Sequence, residues 1–227
     1  MNFDHILKFL KDIAKNNDRE WFEKNKPKYL LVKAGFEDFL EAFHHELLKF
    51  DDSLGGLNPR KMGFRIYRDV RFSKDKRPYK INMGAGFSAN GKMEQEPGYY
   101  IHIEPGNKNF VAGGIYMPDA PNLAKIRQEI DYNTKGFLKV LNDKKFKKLF
   151  PKLGDFDKLK TAPKGYPKDH PHLDLLKNRS YIVSHVFTDV QVKDKKFIKT
   201  VRTSCIGKYN SSCRCSWSMV WITIYTK

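Results

Sequence analysis

The sequence predicts a single α+β domain, in which N-terminal helices precede a central antiparallel β-meander of about four to five strands and further helices follow. Three observations support this class. Apolar residues recur with the 3.6-residue helical period over the first 50 residues. The stretch from Met62 to Met117 is instead aromatic, β-branched and punctuated by glycine, and helical spacing returns after Pro118. We therefore assign one domain to residues 1–201.

The N-terminal region is predicted to form three helices. The first segment carries an apolar face that ends before the polar run KNND. Asn17 or Asp18 then caps a short helix that carries Trp21 and Phe22, and Pro27 suits the first turn of a longer helix that ends near Phe50. The face of the first helix is formed by Phe3, Ile6, Leu7, Leu10, Ile13 and Ala14.

Four segments of the central region predict the strands of the meander, at about 63–72, 79–89, 98–104 and 109–117. The segment EPGNKN between the last two is typical of a hairpin turn. Farther along, YIVSHVF predicts a fifth strand. Helices are predicted by LAKIRQEI, FLKVL, DKKFKKLF, HLDLLKN and DKKFIKTV.

The chain is strongly basic, with 43 Lys and Arg against 26 Asp and Glu and a formal charge of +17. Such a charge attracts phosphates, nucleic acid or anionic membrane surfaces, although scattered lysines are also typical of an ordinary solvated surface. No apolar run approaches the roughly 18 residues of a membrane span, and the N-terminus resembles an amphipathic helix rather than a signal peptide. We therefore expect a cytoplasmic protein without a membrane partner.

Side-chain alternation predicts a polar face on the sheet. In the stretch FRIYRDVRFSKDKRPYK, period-two alternation separates an apolar row from a polar row, and the stretch YYIHIEP is divided in the same way. Between them, Gly84 and Gly86 share one face and predict a low, open floor. If the polar faces coincide, this recess is surrounded by Arg65, Tyr67, Arg71, Tyr100, His102 and Glu104.

This face predicts a site for an anionic small molecule or a phosphate group. Guanidinium groups match the oxygens of carboxylates and phosphates, so Arg65 and Arg71 would hold the anion. Tyr67 and Tyr100 would donate hydrogen bonds, with Lys76 and Lys80 on the adjoining basic turn. The alternative is a solvated face on which Arg65, Asp69 and Glu104 pair across strands.

Two further features of this face are predicted. His102 and Glu104 form the one plausible acid/base pair, although whether the protein is an enzyme stays open. Arg68 falls in the apolar row, so either it pairs with Asp75 or Glu94, or a bulge moves it to the polar side. No cofactor is predicted.

The motifs of this region also resemble those of a known family. FRIYRDVRFSKDKRPYK, GYYIHIEPG, GGIYMP and APKGYPKDHP, preceded by NNDREWF, are similar to the bacterial domain-of-unknown-function family 2461, a family of conserved hypothetical proteins. The resemblance covers residues 1 to about 201. It implies one cytosolic α+β domain, and it assigns no catalytic residue that could be carried over to this sequence. Its signature residues here would be Trp21, Arg65, Arg68, Asp69, Arg71, Lys76, Pro78, Tyr79, Lys80, His102 and Glu104.

The motif HPHLD at 170–174 has the spacing of some zinc sites, but we favour a structural role. Asp169 and Pro171 fit an N-cap and a first-turn proline of the helix HLDLLKN, so no metal site is predicted. A cysteine nucleophile is not expected, because Cys205, Cys213 and Cys215 all lie far from the motifs.

The last 26 residues, 202–227, have an atypical composition. They contain no acidic residue, all three cysteines and two of the three tryptophans. Our hypothesis is that a reading-frame change has replaced the C-terminus, and the competing interpretation is an edge strand in WSMVWITIY.

Three functions follow from the sequence in order of preference. The first is a pocket for a phosphate- or carboxylate-bearing ligand on the polar sheet face, formed by Arg65, Tyr67, Arg68, Asp69, Arg71, Lys76, Lys80 and Tyr100. The second is a nucleic-acid-binding module that uses the same basic face. The third is a protein-interaction domain without catalysis.

Overall fold

Helices, a four-stranded antiparallel sheet and further helices follow one another along the chain, which confirms the predicted α+β class. The computed structural model describes residues 3–92, 96–155 and 157–206. Most of the atypical C-terminal segment, with Cys213, Cys215 and the predicted edge strand, therefore lies outside the described residues.

The N-terminal region contains two helices, α1 (Phe3–Lys15) and α2 (Arg19–Leu47). Asp18 caps α2 by accepting a hydrogen bond from the backbone N–H of Trp21 at 2.8 Å. The predicted break at Pro27 is wrong, because α2 continues through this proline. An interior proline costs a helix about 3 kcal/mol, and burial of one continuous apolar face on both sides of Pro27 offsets that cost.

The sheet consists of β1 (Met83–Ser88), β2 (Gly98–Ile103), β3 (Asn109–Ile115) and β4 (Tyr181–Phe187). Neighbouring strands are antiparallel, in the order β1-β2-β3-β4. Each of these strands lies within a segment that the sequence predicted as a strand.

The predicted strand at 63–72 is wrong. This segment makes only isolated bridges, and the backbone N–H of Arg68 donates to the Pro78 carbonyl at 2.9 Å. The carboxylates of Asp69 and Asp75 accept hydrogen bonds from the backbone N–H two residues later, at 3.2 and 3.1 Å. Such local turns give the backbone an alternative to a β-ladder, so alternating sequence alone does not produce a strand here.

Six further α-helices follow β3 in the described part of the chain. One of them was not predicted: Thr188 forms a capping box with Gln191 and begins a short helix after β4. The helices before β4 are α3 (Ala120–Tyr132), α4 (Thr134–Leu141), α5 (Lys144–Leu149) and α6 (Leu173–Leu176), and those after it are α7 (Asp189–Lys193) and α8 (Phe197–Ile206).

The main core lies between the helices α1, α2 and α8 and one face of the sheet, which we call the inner face. Phe39 of α2 is fully buried and contacts Phe3 of α1 and Phe197 of α8, with ring centroids 5.1 and 6.0 Å apart. A second, smaller cluster packs α3, α4 and α6 against the ends of β3 and β4. The helices of the main core therefore cover the inner face of the sheet.

Two further features concern the predicted location and the cysteines. None of the helices in the described part of the chain is both long and apolar enough to cross a membrane. Cys205 is buried in α8, and burial raises the pKa of its thiol well above the usual range.

The aromatic core predicts a large cost for removing Phe39. We expect Phe39→Ala to lower the free energy of unfolding by about 3–5 kcal/mol, because a cavity replaces a fully buried ring. Urea denaturation followed by circular dichroism measures this change. Leu31→Ala in the same helix is the control: its side chain is 76% exposed, so it should change stability by no more than about 0.5 kcal/mol. Equal effects of the two substitutions would contradict the assignment of the core.

Candidate functional site

The second face of the sheet, which we call the outer face, carries predicted site residues whose positions are fixed by strand register. His102 of β2 lies directly between Gly84 of β1 and Phe110 of β3. One row along, Tyr100 lies between Gly86 and Ala112. Because directly paired residues point to the same side of a sheet, these side chains share the outer face.

A cavity of about 650 Å³ lies on this outer face. Its floor is formed by Tyr100, Phe110, Ala112, Ile182 and Ser184 of β2, β3 and β4. Its walls are formed by Phe64, Lys80 and Tyr116. The cavity is therefore largely aromatic and aliphatic, with one cationic side chain among these lining residues.

The predicted open floor over the glycines is wrong. Gly84 and Gly86 are buried, and the hydroxyl of Tyr100 lies directly over Gly84. A Cβ atom added at Gly84 would lie 2.6 Å from Tyr100 Oη and would force the hydroxyl away. Gly84 thus provides the space that the Tyr100 hydroxyl occupies.

A chain of hydrogen bonds links Tyr100 and His102 of β2 to Glu104, the residue directly after this strand. Tyr100 Oη lies 2.9 Å from His102 Nδ1, and His102 Nε2 lies 3.1 Å from Glu104 Oε2. Lys108 Nζ lies 3.1 Å from the other carboxylate oxygen of Glu104. The imidazole also stacks on Phe110, with centroids 4.6 Å apart. These contacts fix both the position and the orientation of the imidazole.

The surroundings of these hydrogen-bonded side chains keep Tyr100 and His102 neutral near pH 7. Burial lowers the pKa of His102, and this effect outweighs the opposite effect of Glu104. Burial, together with the charge of Glu104, raises the pKa of Tyr100 to about 12. The two members of the predicted acid/base pair, His102 and Glu104, are in hydrogen-bond contact.

Lysines gather around Phe64 at the wall of the cavity. Lys80 Nζ and Lys92 Nζ each lie 5.5 Å from the centre of the Phe64 ring. Lys92 also donates a hydrogen bond to the Gly63 carbonyl at 2.7 Å. Burial lowers the pKa of both lysines, and the positive charges of Arg65 and Lys92 lower that of Lys80 further. Lys80 forms no ion pair with a carboxylate among the described residues.

The other predicted arginines have acidic partners. Arg71 is exposed and forms a bidentate pair with Asp69, at 3.0 and 2.7 Å. Arg68 pairs with Asp75 at 2.8 Å, as one of the predicted alternatives required, and Asp75 also accepts from Arg77. The structure therefore does not bring Arg71 to the cavity with Lys80.

Two more predicted site residues also lie away from the cavity lining. Tyr67 packs against Phe22 of α2, with ring centroids 5.7 Å apart, and against Tyr79. Lys76 donates to the Val70 carbonyl at 3.1 Å and closes its own loop. Both residues therefore have contacts that stabilise residues 63–80, which we call the irregular segment.

Sequence reasoning missed several residues that line the cavity or, in the case of Lys92, contact its wall at Phe64. Phe64 was assigned to the packed row of a strand, and Lys92 carried no motif. Phe110 and Ala112 face the cavity because they pair with His102 and Tyr100. Alternation within YYIHIEP, extended across the predicted EPGNKN hairpin, is the signal that could have found them.

The HPHLD motif has a local structural role. His170 Nε2 lies 3.0 Å from Asp131 of α3, and the backbone N–H of His172 donates to His170 Nδ1 at 3.1 Å. Helix α6 begins at Leu173 with His172 as the N-cap residue, so the predicted Asp169 cap is wrong. Within the described ranges, no three His, Cys, Asp or Glu side chains lie close enough together to hold a metal ion.

No curated protein and no solved structure matches the sequence. The family of conserved hypothetical proteins DUF2461 matches residues 5–207, slightly beyond the limit of about 201 that the motifs indicated. Because this match spans most of the 227 residues, the chain belongs to the DUF2461 family.

Proposed function

We propose that the outer-face cavity binds a small molecule that has an apolar or aromatic body and a carboxylate or phosphate group. One observation carries the proposal: Lys80 is a half-buried cation in the wall of an otherwise apolar cavity, and no described carboxylate pairs with it. A desolvated ammonium group without a counter-ion gains most from an anion that the ligand supplies.

The size and the lining of the cavity fit such a ligand. Sites for small molecules have volumes of about 300–1,000 Å³ and combine apolar walls with a few polar groups. A cavity of about 650 Å³ with aromatic walls and one lysine has this composition. The rings of Phe64, Tyr100 and Phe110 would contact the body of the ligand, and Lys80 would contact its anionic group.

The predicted arginines take different parts in this proposal. Arg65 adds positive charge near Lys80 and would attract the anion over a longer range. Arg68, Asp69, Arg71 and Lys76 would hold the irregular segment that positions Phe64 and Lys80, through the ion pairs and carbonyl contacts described above. The anion is therefore assigned to lysine rather than to an arginine pair.

The nucleic-acid alternative draws less support from this geometry. A surface that follows a phosphate backbone needs several cations free to contact it. Arg68, Arg71 and Arg77 are each paired with an aspartate, which reduces the charge that the basic turn can offer. The protein-interaction alternative also stays a prediction.

A pair of matched probes tests the anion site. We expect 2-naphthoate to bind and its neutral analogue 2-naphthamide to bind more weakly, because only the carboxylate can pair with Lys80. Lys80→Met should weaken 2-naphthoate binding about tenfold or more, since a charge-assisted hydrogen bond contributes about 1.5–3 kcal/mol. The same substitution should leave 2-naphthamide binding unchanged. Calorimetric titration measures both affinities.

Lys144→Met serves as the matched control for this experiment. Lys144 is exposed on α5, so its removal changes the net charge equally without altering the cavity. Equal losses of 2-naphthoate affinity in both variants would indicate general electrostatic attraction and would reject the site. 2-naphthyl phosphate, titrated in parallel, shows whether phosphate or carboxylate is preferred.

The lowered pKa of Lys80 predicts a pH dependence of binding. Only the protonated ammonium attracts the anion, so 2-naphthoate affinity should fall as pH rises toward and through the pKa of Lys80. Because burial lowers this pKa from its usual value of 10.5, the fall should begin at lower pH than for an exposed lysine. Titrations from pH 7 to 10 should show this slope in the unmodified protein and a much smaller slope in Lys80→Met. An identical slope in both proteins would contradict the assignment.

Salt dependence separates the nucleic-acid alternative from the cavity. Duplex binding should lose about 0.9 log unit of affinity per log unit of salt for each phosphate contacted, whereas one ammonium–carboxylate contact gives a shallow slope. We expect duplex DNA, single-stranded DNA and RNA to bind weakly at low salt, with affinities that Lys80→Met does not alter selectively. Tight, steeply salt-dependent binding that Lys80→Met abolishes would instead favour the nucleic-acid module.

A further inference from the structure

The hydrogen-bond chain behind the cavity determines which groups Tyr100 can recognise. We propose that the Tyr100 oxygen accepts a hydrogen bond from a hydroxyl or amino group of the ligand, so that the preferred ligand is a hydroxylated or aminated aromatic anion. This inference rests on the proposed function, because it concerns a second group on the same bound molecule.

The argument begins at Glu104, which fixes the tautomer of His102. The carboxylate of Glu104 pairs with Lys108 Nζ at 3.1 Å through one oxygen and faces His102 Nε2 at 3.1 Å through the other. An ionised carboxylate only accepts hydrogen bonds, so Nε2 must carry the proton. A neutral imidazole has one N–H, and burial keeps His102 neutral near pH 7 by lowering its pKa.

His102 Nδ1 is therefore an acceptor, and two donors face it. Tyr100 Oη lies 2.9 Å away and Asn82 Nδ2 lies 3.3 Å away. The side-chain amide nitrogen of Asn82 can only donate, which agrees with an unprotonated Nδ1. The shorter of the two contacts assigns the single hydroxyl proton of Tyr100 to His102.

Tyr100 then presents only acceptor character to the cavity. A phenol has one proton and two lone pairs, and the proton of Tyr100 is directed away from the ligand. The sequence had suggested that Tyr100 donates to the anion, but this geometry reverses that role. A carboxylate or carbonyl oxygen at this position would face a lone pair, whereas a hydroxyl or amino group would complete a hydrogen bond.

The position of the Tyr100 hydroxyl oxygen is restricted, as is the direction of its proton. Tyr100 Oη lies over Gly84, where a Cβ atom would approach it to 2.6 Å. The ring of Tyr100 contacts Phe64 and Phe110 on its two sides, with centroids 6.2 and 5.6 Å apart. Lys80 and Tyr100 therefore offer the ligand a cation and an acceptor at separate points of one cavity.

The first test measures the tautomer without any ligand. Nitrogen-15 NMR of the histidine side chains at pH 8, with His102 assigned by comparison with His102→Gln, should show a protonated Nε2 and an unprotonated Nδ1. A protonated Nδ1 would make Tyr100 a donor to the cavity and would overturn the inference. Glu104→Gln should shift the His102 resonances, because the amide can also donate to Nε2.

The second test uses probes that differ only in a donor. The 5-, 6- and 7-hydroxy-2-naphthoates are compared with 2-naphthoate and with the methoxy analogues, which cannot donate. At least one hydroxy compound should bind about three- to tenfold more tightly than 2-naphthoate, and its methoxy analogue should not. Tyr100→Phe should remove this gain, so that in this variant the hydroxy compound binds no more tightly than 2-naphthoate.

Tyr132→Phe is the control variant, because Tyr132 is 79% exposed on α3 and lies outside the cavity lining. It should retain the full gain from the hydroxyl group. Thermal unfolding of each variant confirms that the proteins compared are folded. No gain for any hydroxy compound, or a gain that persists in Tyr100→Phe, would overturn the inference. Failure of 2-naphthoate to depend on Lys80 would instead reject the proposed function, and the NMR result would still decide the state of Tyr100.

Discussion

Burial of one sheet face against aromatic helices is the constraint on which the remaining structure depends. Phe39 and Phe43 of α2 and Phe197 of α8 pack with Phe87 on the inner face of the sheet. Strand side chains alternate, so filling this face with apolar residues sends every second residue of β2 to the other side. The locations of Tyr100 and His102 are thus consequences of core packing, and a slip of one residue in register would bury both.

The outer face differs from an ordinary solvated sheet surface in how its polar groups are balanced. Exposed antiparallel sheets commonly pair acids with bases across strands, and Arg71 with Asp69 shows such pairing outside the sheet. Lys80 instead lies over the Phe64 ring and near other cations. Glu104, by contrast, contacts both His102 and Lys108 through its carboxylate oxygens. The cation Lys80 and the hydrogen-bonded carboxylate of Glu104 therefore lie at different parts of the outer face, and the two-group recognition that we propose depends on this separation.

Much of the fold and part of the site could be predicted from the sequence, for identifiable reasons. Period-two alternation in YYIHIEP placed Tyr100, His102 and Glu104 together, because a paired strand leaves its side chains no other choice. The same argument failed for 63–72, where Asp69 forms a local turn that replaces ladder hydrogen bonds, as Asp75 does directly after the segment. The contribution of Phe110 depends on register across a hairpin, and that of Lys92 depends on a tertiary contact with Phe64, which no local pattern encodes.

The short bridges beside the sheet have a consequence for behaviour at high concentration. A bare outer strand offers unpaired N–H and C=O groups to any other extended chain, which is a common start of aggregation. Here the N–H of Phe64 bonds to the Gly84 carbonyl at 2.8 Å along β1, and the N–H of Gly154 bonds to the Ile182 carbonyl at 2.7 Å along β4. Irregular segments thus occupy part of both edges of the sheet, which leaves fewer backbone groups free to pair with a strand from another molecule.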